Sequence, residues 1–560
     1  IFQEGTDIYW ARSRTLEYLS KILPRLPEGV QTEIGPDATG VGWVFQYALV
    51  DETGKRDLQE LRSFQDWFLR YQLQSVPGVA EVASIGGFGK QYQVTVDPNK
   101  LLAYHIPIGR VVDAVRDGNV EAGGRLLEFS GAEYMVRGRG YVKSVKDIED
   151  IVVAADAGGV PVLVKNIAQV ALGPDIRRGV ADLDGRGDVV GGIVIMRYKE
   201  NALNVIERVK EKLKEIEPAF PEGMKIEVTY DRSRLIKEAV GTVRETLIEE
   251  LIIVCLMIGF FLLHVPSTMI PVIVLPIAIL MAFIPLLGLK LTSNIMSLGG
   301  IVIAIGDMVD ASIIIVENAH KRLDEWSRGL RKGTREEVLI GSMKEVGPTI
   351  FASMIVIAVA FMPVFTLEAQ EGRLFKPLAF TKNFAILFSA VLAITLVPAL
   401  VMTFLKGKIP SAENHPVGRF LVKHYTAVVD WSIRRRKRIV LIAVAVVFLT
   451  VPAFFKIGSE FMPPLGEGTI LYMPTTLPGL SVTEASKLIQ TQDKIIKTFP
   501  EVERVFGKAG RADTSTDPAP FSMIETTVVL KPEADWRFVR RWYSGLPAFL
   551  KAPLRVVWPE

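Results

Sequence analysis

Between residues 246 and 456 the chain repeats a pattern that few folds accommodate: apolar runs of membrane-crossing length, separated by short charged loops. A helix needs about 20 mostly apolar residues to cross the ~30 Å hydrocarbon core of a bilayer. Six segments reach or approach that length: 246–264, which contains LIIVCLMIGFFLL, then 266–287, 294–317, 348–367, 379–405 and 439–455. Charged residues make up an ordinary 23% of the chain, yet the mean hydropathy is +0.29, because the apolar residues are concentrated in this block. Pro271, Pro276 and Pro285 would break a soluble helix, whereas neighbours in a membrane bundle can re-satisfy the backbone groups that a proline frees. The expectation is a multi-pass helical bundle in contact with lipid, flanked by two soluble regions.

Lysine and arginine in short loops set the orientation of such a bundle. Loop 318–346 carries seven and segment 406–438 carries nine, ending in Arg434-Arg435-Arg436-Lys437-Arg438. The opposite loops hold only Lys290 in one case, and Arg373 with Lys376 in the other. The basic segments are therefore expected in the cytoplasm and both soluble regions on the far side. Within the second basic segment, VGRFLVKHYTAVVDWSI has helical apolar spacing between basic flanks, as suits a helix lying on the inner membrane surface.

Residues 1–245 alternate β-rich runs (QYQVTVD, GGIVIMRY, KIEVTYD) with helical patterns (LQELRSFQDWFLRYQL, ALNVIERVKEKLKEI). That alternation predicts α+β modules of the ferredoxin-like, split-βαβ kind. A weak repeat, VPGVAEV from Val76 and FPEVERV from Phe499, places one kind of module before and after the helical block.

Several classes of function are excluded. A balance of 65 Lys+Arg against 62 Asp+Glu does not describe a general nucleic-acid binder. Cys255 stands alone, so the chain has no intrachain disulfide and no cysteine-based zinc or iron–sulfur site. No Walker-type glycine loop is present, which argues against ATP as a driver. The five histidines, His105, His264, His320, His415 and His424, show no ligand pair at helical spacing. The chain opens on Ile1 without a charged-then-apolar leader and stops in mid-pattern at Glu560, as expected of a fragment without a signal peptide.

Ionisable groups inside a membrane span cost ~2.5–3.5 kcal/mol each on insertion scales, so each requires a reason. The third span holds three: Asp307, Asp310 and Glu317. Asp310 and Glu317 are seven residues apart and share a helical face, separated by about 10 Å, with Asp307 about 60° round from Asp310. A carboxylate that takes a proton on one side and releases it on the other is how a secondary transporter draws on a gradient. Asp310 is the first candidate for that relay, with Glu317 and Asp307 behind it.

The segments GPDATGVGWVFQYALVD, SLGGIVIAIGDMVDASIIIVENAHKRLDEW, EGRLFKPLAFTK and FMPPLGEGTILYMPTTLPG resemble heavy-metal efflux pumps of the resistance-nodulation-division superfamily, in particular their copper/silver branch. The resemblance covers essentially the whole chain, which corresponds to a little more than the first half of such a pump. It implies a proton/metal antiporter rather than an enzyme, in the bacterial inner membrane, with large periplasmic domains. It further implies a homotrimer, completed by a periplasmic adaptor (membrane fusion) protein and an outer-membrane channel. No prosthetic group is implied; the ions handled are transported Cu(I) or Ag(I) and protons. The corresponding division is a periplasmic porter region at 1–245, five spans in 246–405, a cytoplasmic amphipathic segment at 406–438, a further span at 439–456 and the start of a second porter region at 457–560.

By the same resemblance Asp310 falls on the proton-relay aspartate. It is followed by Ala311 where drug exporters carry a second aspartate, and preceded six residues earlier by Ala304 where divalent-metal exporters carry one. Asp307 departs from the copper/silver pattern, which has a small apolar residue there. Met473 matches the first of three periplasmic methionine ligands, with the other two implied beyond Glu560, while Met296 and Met308 match membrane methionines proposed as relay sites. Thioether sulfur suits soft monovalent ions. Met523 has no counterpart and reads as a packing residue. Export of divalent zinc, cobalt or cadmium by the same machine is the alternative, and a non-metal porter a more remote one.

Overall fold

The computed structural model describes every residue except 1, 4, 28, 31, 156–157, 263, 290, 293, 406–415, 459–467, 548–550, 552–553 and 555–560. Apart from a few N-terminal residues, the chain divides into two compact units: Ile236–Leu465, and Thr6–Leu235 together with Gly466–Glu560.

The first unit is helical. Its helices are α1 (Arg232–Leu262, which begins in the other unit), α2 (Val265–Gly288), α3 (Ile295–Ser327), α4 (Arg335–Ala360), α5 (Ala369–Ile394), α6 (Leu396–Phe404), α7 (Pro416–Arg434) and α8 (Arg436–Lys456). Among the described residues five helical stretches are long and apolar enough to cross a membrane: α2, α3, α4 with its 3-10 extension to Thr366, α5 and α8. α1 holds residues 246–262 of the expected first span, Glu249 and Glu250 among them.

Helix boundaries follow local chemistry. Thr334 caps α4, its hydroxyl accepting from the Glu337 amide while the Glu337 carboxylate accepts from the Thr334 amide. The helix then runs through Pro348, well before the start expected for that span. α2 stays continuous through Pro271, Pro276 and Pro285. The expected span 379–405 begins earlier, at Ala369, and breaks at Thr395, where φ −116° and ψ −67° separate α5 from α6. Pro398 causes the break, because its ring would clash with the carbonyl of Ile394 four residues back.

The core of this unit is the contact of α3 with α2, α4, α5 and α6, filled by Ile301, Ile305, Val309, Ile315, Ile386, Val397 and Val401 among others. Gly300 sets the closest approach: a Cβ there would stand 2.6 Å from the carbonyl oxygen of Leu378 on α5. Only a residue without a side chain permits that distance, and small residues are what membrane helices use to bring backbones together.

The second unit is α+β. Strands Trp43–Asp51, Val79–Gly86, Val190–Met196 and Met224–Asp231 form one antiparallel sheet in the spatial order fourth, first, third, second. Its buried face, with Val44, Phe45, Tyr47 and Leu49, packs against Leu69 and Leu73 of the helical stretch 58–74 and against Val205, Ile206 and Val209 of helix Ala202–Ile216. A second four-stranded antiparallel sheet joins Thr469–Tyr472, Ile524–Leu530, Val502–Gly510 and Gly179–Leu183, with helix Val482–Lys497 against it. Residues from distant parts of the sequence therefore share one sheet. Three two-stranded ribbons, pairing 90–96 with 168–174, 122–129 with 132–138 and 152–155 with 161–163, complete the described strands.

Two buried carboxyls meet beneath this second sheet. Asp182 and Asp493 are 1% and 0% exposed and close enough for each carboxyl to act on the other, and Asp493 Oδ2 is buried with no hydrogen-bond partner among the described residues. Two carboxylates are both acceptors, so the contact requires a shared proton. Asp182 already accepts from the amides of Gly185 and Gly187, at 2.7 and 2.8 Å, which places the proton on Asp493. Burial, followed by the Asp182 charge, pushes the Asp493 carboxyl far above the usual carboxylate range. Burial also raises Asp182, against the pull of its two amide donors.

The native pair thus holds a proton that the unfolded chain has already lost above about pH 4. Where the native state binds more protons, stability falls as pH rises, by at most ~1.4 kcal/mol per pH unit for one group. Thermal unfolding followed from pH 5 to 9 is expected to show this decline. Asp493→Asn, whose amide keeps a donor toward Asp182, should flatten it, whereas Asp182→Asn sets an NH2 among the two backbone donors and lowers stability at every pH. A wild-type slope retained in Asp493→Asn would refute the shared proton.

Candidate functional site

The three carboxylates of α3 lie at or beside one face of the helix. Asp310 and Glu317 are exposed, on a stripe with Ile303, Gly306 and Ile314 that no other described helix covers. Asp310 makes no ion pair among the described residues. Asp307 lies at the border of that stripe, its side chain 31% exposed, and faces α5.

There it meets a group that the sequence reading did not single out. Lys382 of α5 places its ammonium 3.2 Å from Asp307 Oδ2 and 3.6 Å from the centre of the Phe361 ring, with the residue 5% exposed. The geometry is a close charge pair without an aligned hydrogen bond, since Asp307 Oδ2 has no hydrogen-bond partner among the described residues. A lysine buried among membrane helices needs opposite charge or an aromatic face, and Lys382 has both. The α3–α5 contact at Gly300 brings the pair within reach. The signal available in sequence was the cation of EGRLFKPLAFTK inside an apolar run, but a lysine near a span end also reads as a snorkelling flank.

The membrane methionines are not gathered at the carboxylates. Met308 is 1% exposed, in the core of the helical unit, and two positions from Asp310 puts it about 200° round the helix. Met296 is half-buried near the start of α3. Among the described residues no three of His, Cys, Asp and Glu come together in a way that could hold a metal ion.

In the α+β unit Met473 follows the edge strand Thr469–Tyr472 and is 43% exposed. Its strand pairs Tyr472 with Thr526, and the same register continues past Met473 and Pro474 to a bridge between Thr475 and Met523. The Ile524 amide donates to the Pro474 carbonyl at 3.1 Å, and the Thr476 amide to the Ser522 carbonyl at 2.8 Å. Met523 is therefore the diagonal neighbour of Met473 on the same face, a relation that puts Cβ atoms about 7–8 Å apart and long side chains within mutual reach. Met523, which reads in sequence as a packing residue, is half-buried beside Met473, the periplasmic ligand candidate. Fifty residues separate the two, and only the strand pairing reveals them as neighbours.

Residues 1–541 match the AcrB/AcrD/AcrF family. The chain is 49% identical over 542 residues to the cation efflux system protein CusA of Escherichia coli (strain K12), covering 96% of the chain and 52% of that protein. It is 33% identical over 558 residues to the cobalt-zinc-cadmium resistance protein CzcA of Cupriavidus metallidurans, covering 98% of the chain and 52% of the relative. A crystal structure described as a heavy metal efflux pump superposes with a TM-score of 0.84 at 31% identity, covering 99% of this chain and 52% of that one. The chain thus spans about half the length of the relatives it matches.

The Asp307–Lys382 pair has a direct test in the detergent-solubilised protein. Lys382→Met leaves a carboxylate stranded beside an apolar helix, where removing one member of a buried pair costs ~3–5 kcal/mol and partial exposure reduces that figure. The double variant Asp307→Ala/Lys382→Met removes both charges and is expected to regain most of the lost thermal stability. Additive losses in the double variant would show that the two groups do not interact.

Proposed function

This chain belongs to the AcrB/AcrD/AcrF family, and from that membership we propose that it is the N-terminal half of a proton-driven exporter of monovalent copper and silver. The observation that carries the choice of ion is the diagonal placement of Met473 and Met523, which follows from the register of Tyr472 with Thr526 and of Thr475 with Met523. Two thioethers on one face offer soft, uncharged ligands that do not compete with protons, the chemistry that suits Cu(I) and Ag(I). Met523 supplies the second sulfur from within the chain, and any third comes from elsewhere in the full-length gene product. Met308 and Met296 are candidate relay positions in the membrane, and Met308 would hold an ion only within the helical core.

Asp310 is the proposed proton carrier. Its exposed position on α3, with no ion pair among the described residues, leaves it open to whatever covers that stripe, while Asp307 is engaged by Lys382. Glu317, two turns further along, continues the path toward the basic end of the helix. Proton movement down the membrane potential supplies ~2.3 kcal/mol per charge per 100 mV.

The architecture supports the rest of the reading. An antiparallel four-stranded sheet in the order fourth, first, third, second, with helices on one face, is what a split-βαβ, ferredoxin-like porter module requires. The five apolar helices and the basic ends of α3 and α7 fit a multi-pass protein of the inner membrane with its basic loops in the cytoplasm and its α+β regions in the periplasm. α7, an amphipathic helix whose described residues are largely exposed, fits the inner surface of the same membrane. A homotrimer working with a periplasmic adaptor and an outer-membrane channel completes the proposal. Export of zinc, cobalt or cadmium is the second reading; the lower identity to CzcA than to CusA makes it the weaker one.

The test uses the full-length gene in a host stripped of its metal exporters, with growth recorded against silver, copper, zinc and cobalt. Protection confined to silver and copper, and reduced at least ~10-fold in threshold by either Met473→Ile or Met523→Ile, is the expected outcome; protection against zinc or cobalt would reassign the ligand site. In vesicles Asp310→Asn is expected to abolish proton-coupled export while leaving silver binding intact. Normal export by that variant would remove Asp310 from the relay.

A further inference from the structure

Histidines that are scattered in sequence meet where the start of α2 lies against the basic end of α3. His264, the residue that caps α2, places its Nδ1 2.6 Å from the hydroxyl of Ser267, and the same hydroxyl lies 2.5 Å from Nε2 of His320 on α3. The two rings stand edge to face, 5.4 Å between centres. Ser267 is fully buried and His320 is 8% exposed, while His264 is half-buried. The sequence reading found no histidine pair because the two residues are 56 positions apart and on different helices.

Burying three polar side chains where apolar ones would pack costs free energy unless each bond is made. Here a single hydroxyl serves two imidazoles. A hydroxyl has one proton to donate, so it donates to one ring nitrogen and accepts the N–H of the other. That is a continuous donor–acceptor line from the buried histidine to the half-buried one. The charged groups around the line come from α3 and α4. α1 from 251 to 262 and α6 present no charged side chain. On α3 itself Glu317, Lys321 and Asp324 lie within about one turn of His320. From α4, Glu345 is engaged by Arg322.

We propose that His320, Ser267 and His264 form a proton wire at the cytoplasmic end of the helical unit, which releases protons that have passed Asp310 and Glu317. The inference rests on the proton-antiport reading above. Glu317 is three residues before His320 on α3, a rise of about 4.5 Å, and Asp310 is ten before it, about 15 Å. In the transfer step a proton arrives at His320 Nδ1 and the Nε2–H bond breaks, its proton passing to Ser267 Oγ. The Ser267 O–H bond breaks in turn and its proton binds His264 Nδ1. His264 then loses the proton on Nε2 to water, and rotation of the hydroxyl with return of both tautomers resets the line. One proton enters, one leaves, and no other bond changes.

The experiment reconstitutes the full-length gene product in proteoliposomes. Proton flux is recorded with an internal pH dye as silver is applied, in H2O and in D2O, and silver binding is titrated in parallel. Ser267→Ala keeps both imidazoles and removes only the bridge, so it should slow proton flux on the order of 10-fold, enlarge the D2O effect and leave silver binding unchanged. Ser267→Thr restores the hydroxyl and should restore the flux, a rescue that a packing role would not predict. Wild-type flux and isotope effect in Ser267→Ala would overturn the wire while leaving the antiport reading in place. Loss of one bound silver ion on His264→Gln or His320→Gln would overturn it in favour of an ion site. Absence of any silver-dependent proton flux in the wild type, with Asp310→Asn no different, would bring down the antiport reading and the wire together.

Discussion

Gly300 brings the backbone of α3 against that of α5, and what α3 can carry depends on that contact. Inside a bilayer no hydrophobic force pulls helices together, so small residues and charge pairs do. With the two backbones in contact, Lys382 reaches Asp307 and the Phe361 ring together, and a charge of each sign becomes tolerable in an apolar core. The same contact turns the 303–306–310–314–317 stripe of α3 outward, away from α5. One face of the helix is thus spent on packing, its border on a fixed ion pair, and the opposite face is left to Asp310 and Glu317. This division separates two carboxylates only three residues apart into different roles, one neutralised by a partner and one open.

Legibility in the sequence followed the range of the interactions. Hydropathy and basic loops located the helical block, because the cost of exposing backbone and charge to lipid is local and large. Alternation located Met224–Asp231 and Val190–Met196 as strands, and apolar spacing located the helix of Pro416–Arg434. Ends were less legible: capping at Thr334 extends α4 thirteen residues before the expected start of its span, and Pro398 cuts a segment that hydropathy reads as continuous.

The site was legible only where a residue type was costly in itself. Asp307, Asp310 and Glu317 stood out as acids among apolar residues. Lys382, Met523 and the His264–Ser267–His320 line did not, because each gains its meaning from a partner 50 or more positions away. Asp182 and Asp493 are the extreme case, ordinary acids in sequence that the fold forces to share a proton across 311 residues. Met523 shows the cost of reading types alone, since a methionine at ordinary frequency is most often core filler.

On the proposed reading, the ligand chemistry constrains how ion and proton can be coupled. A carboxylate site can release its ion by taking up protons, whereas a thioether site cannot, because sulfur in methionine does not titrate. Release of a soft ion must then come from geometry, by moving one sulfur away from another. Met473 and Met523 are placed for that. They lie where the edge strand Thr469–Tyr472 has ended, on a stretch held by the two backbone hydrogen bonds that make the Thr475–Met523 bridge. Pro474 has no amide to add to the ladder, so the stretch is held by fewer backbone bonds than a continued strand would have. A displacement of a few ångströms there parts the sulfurs without disturbing the core strands Val502–Gly510 and Ile524–Leu530. The protonated groups act on helices and the sulfurs respond to strands, so coupling between them has to be mechanical rather than a competition for one site.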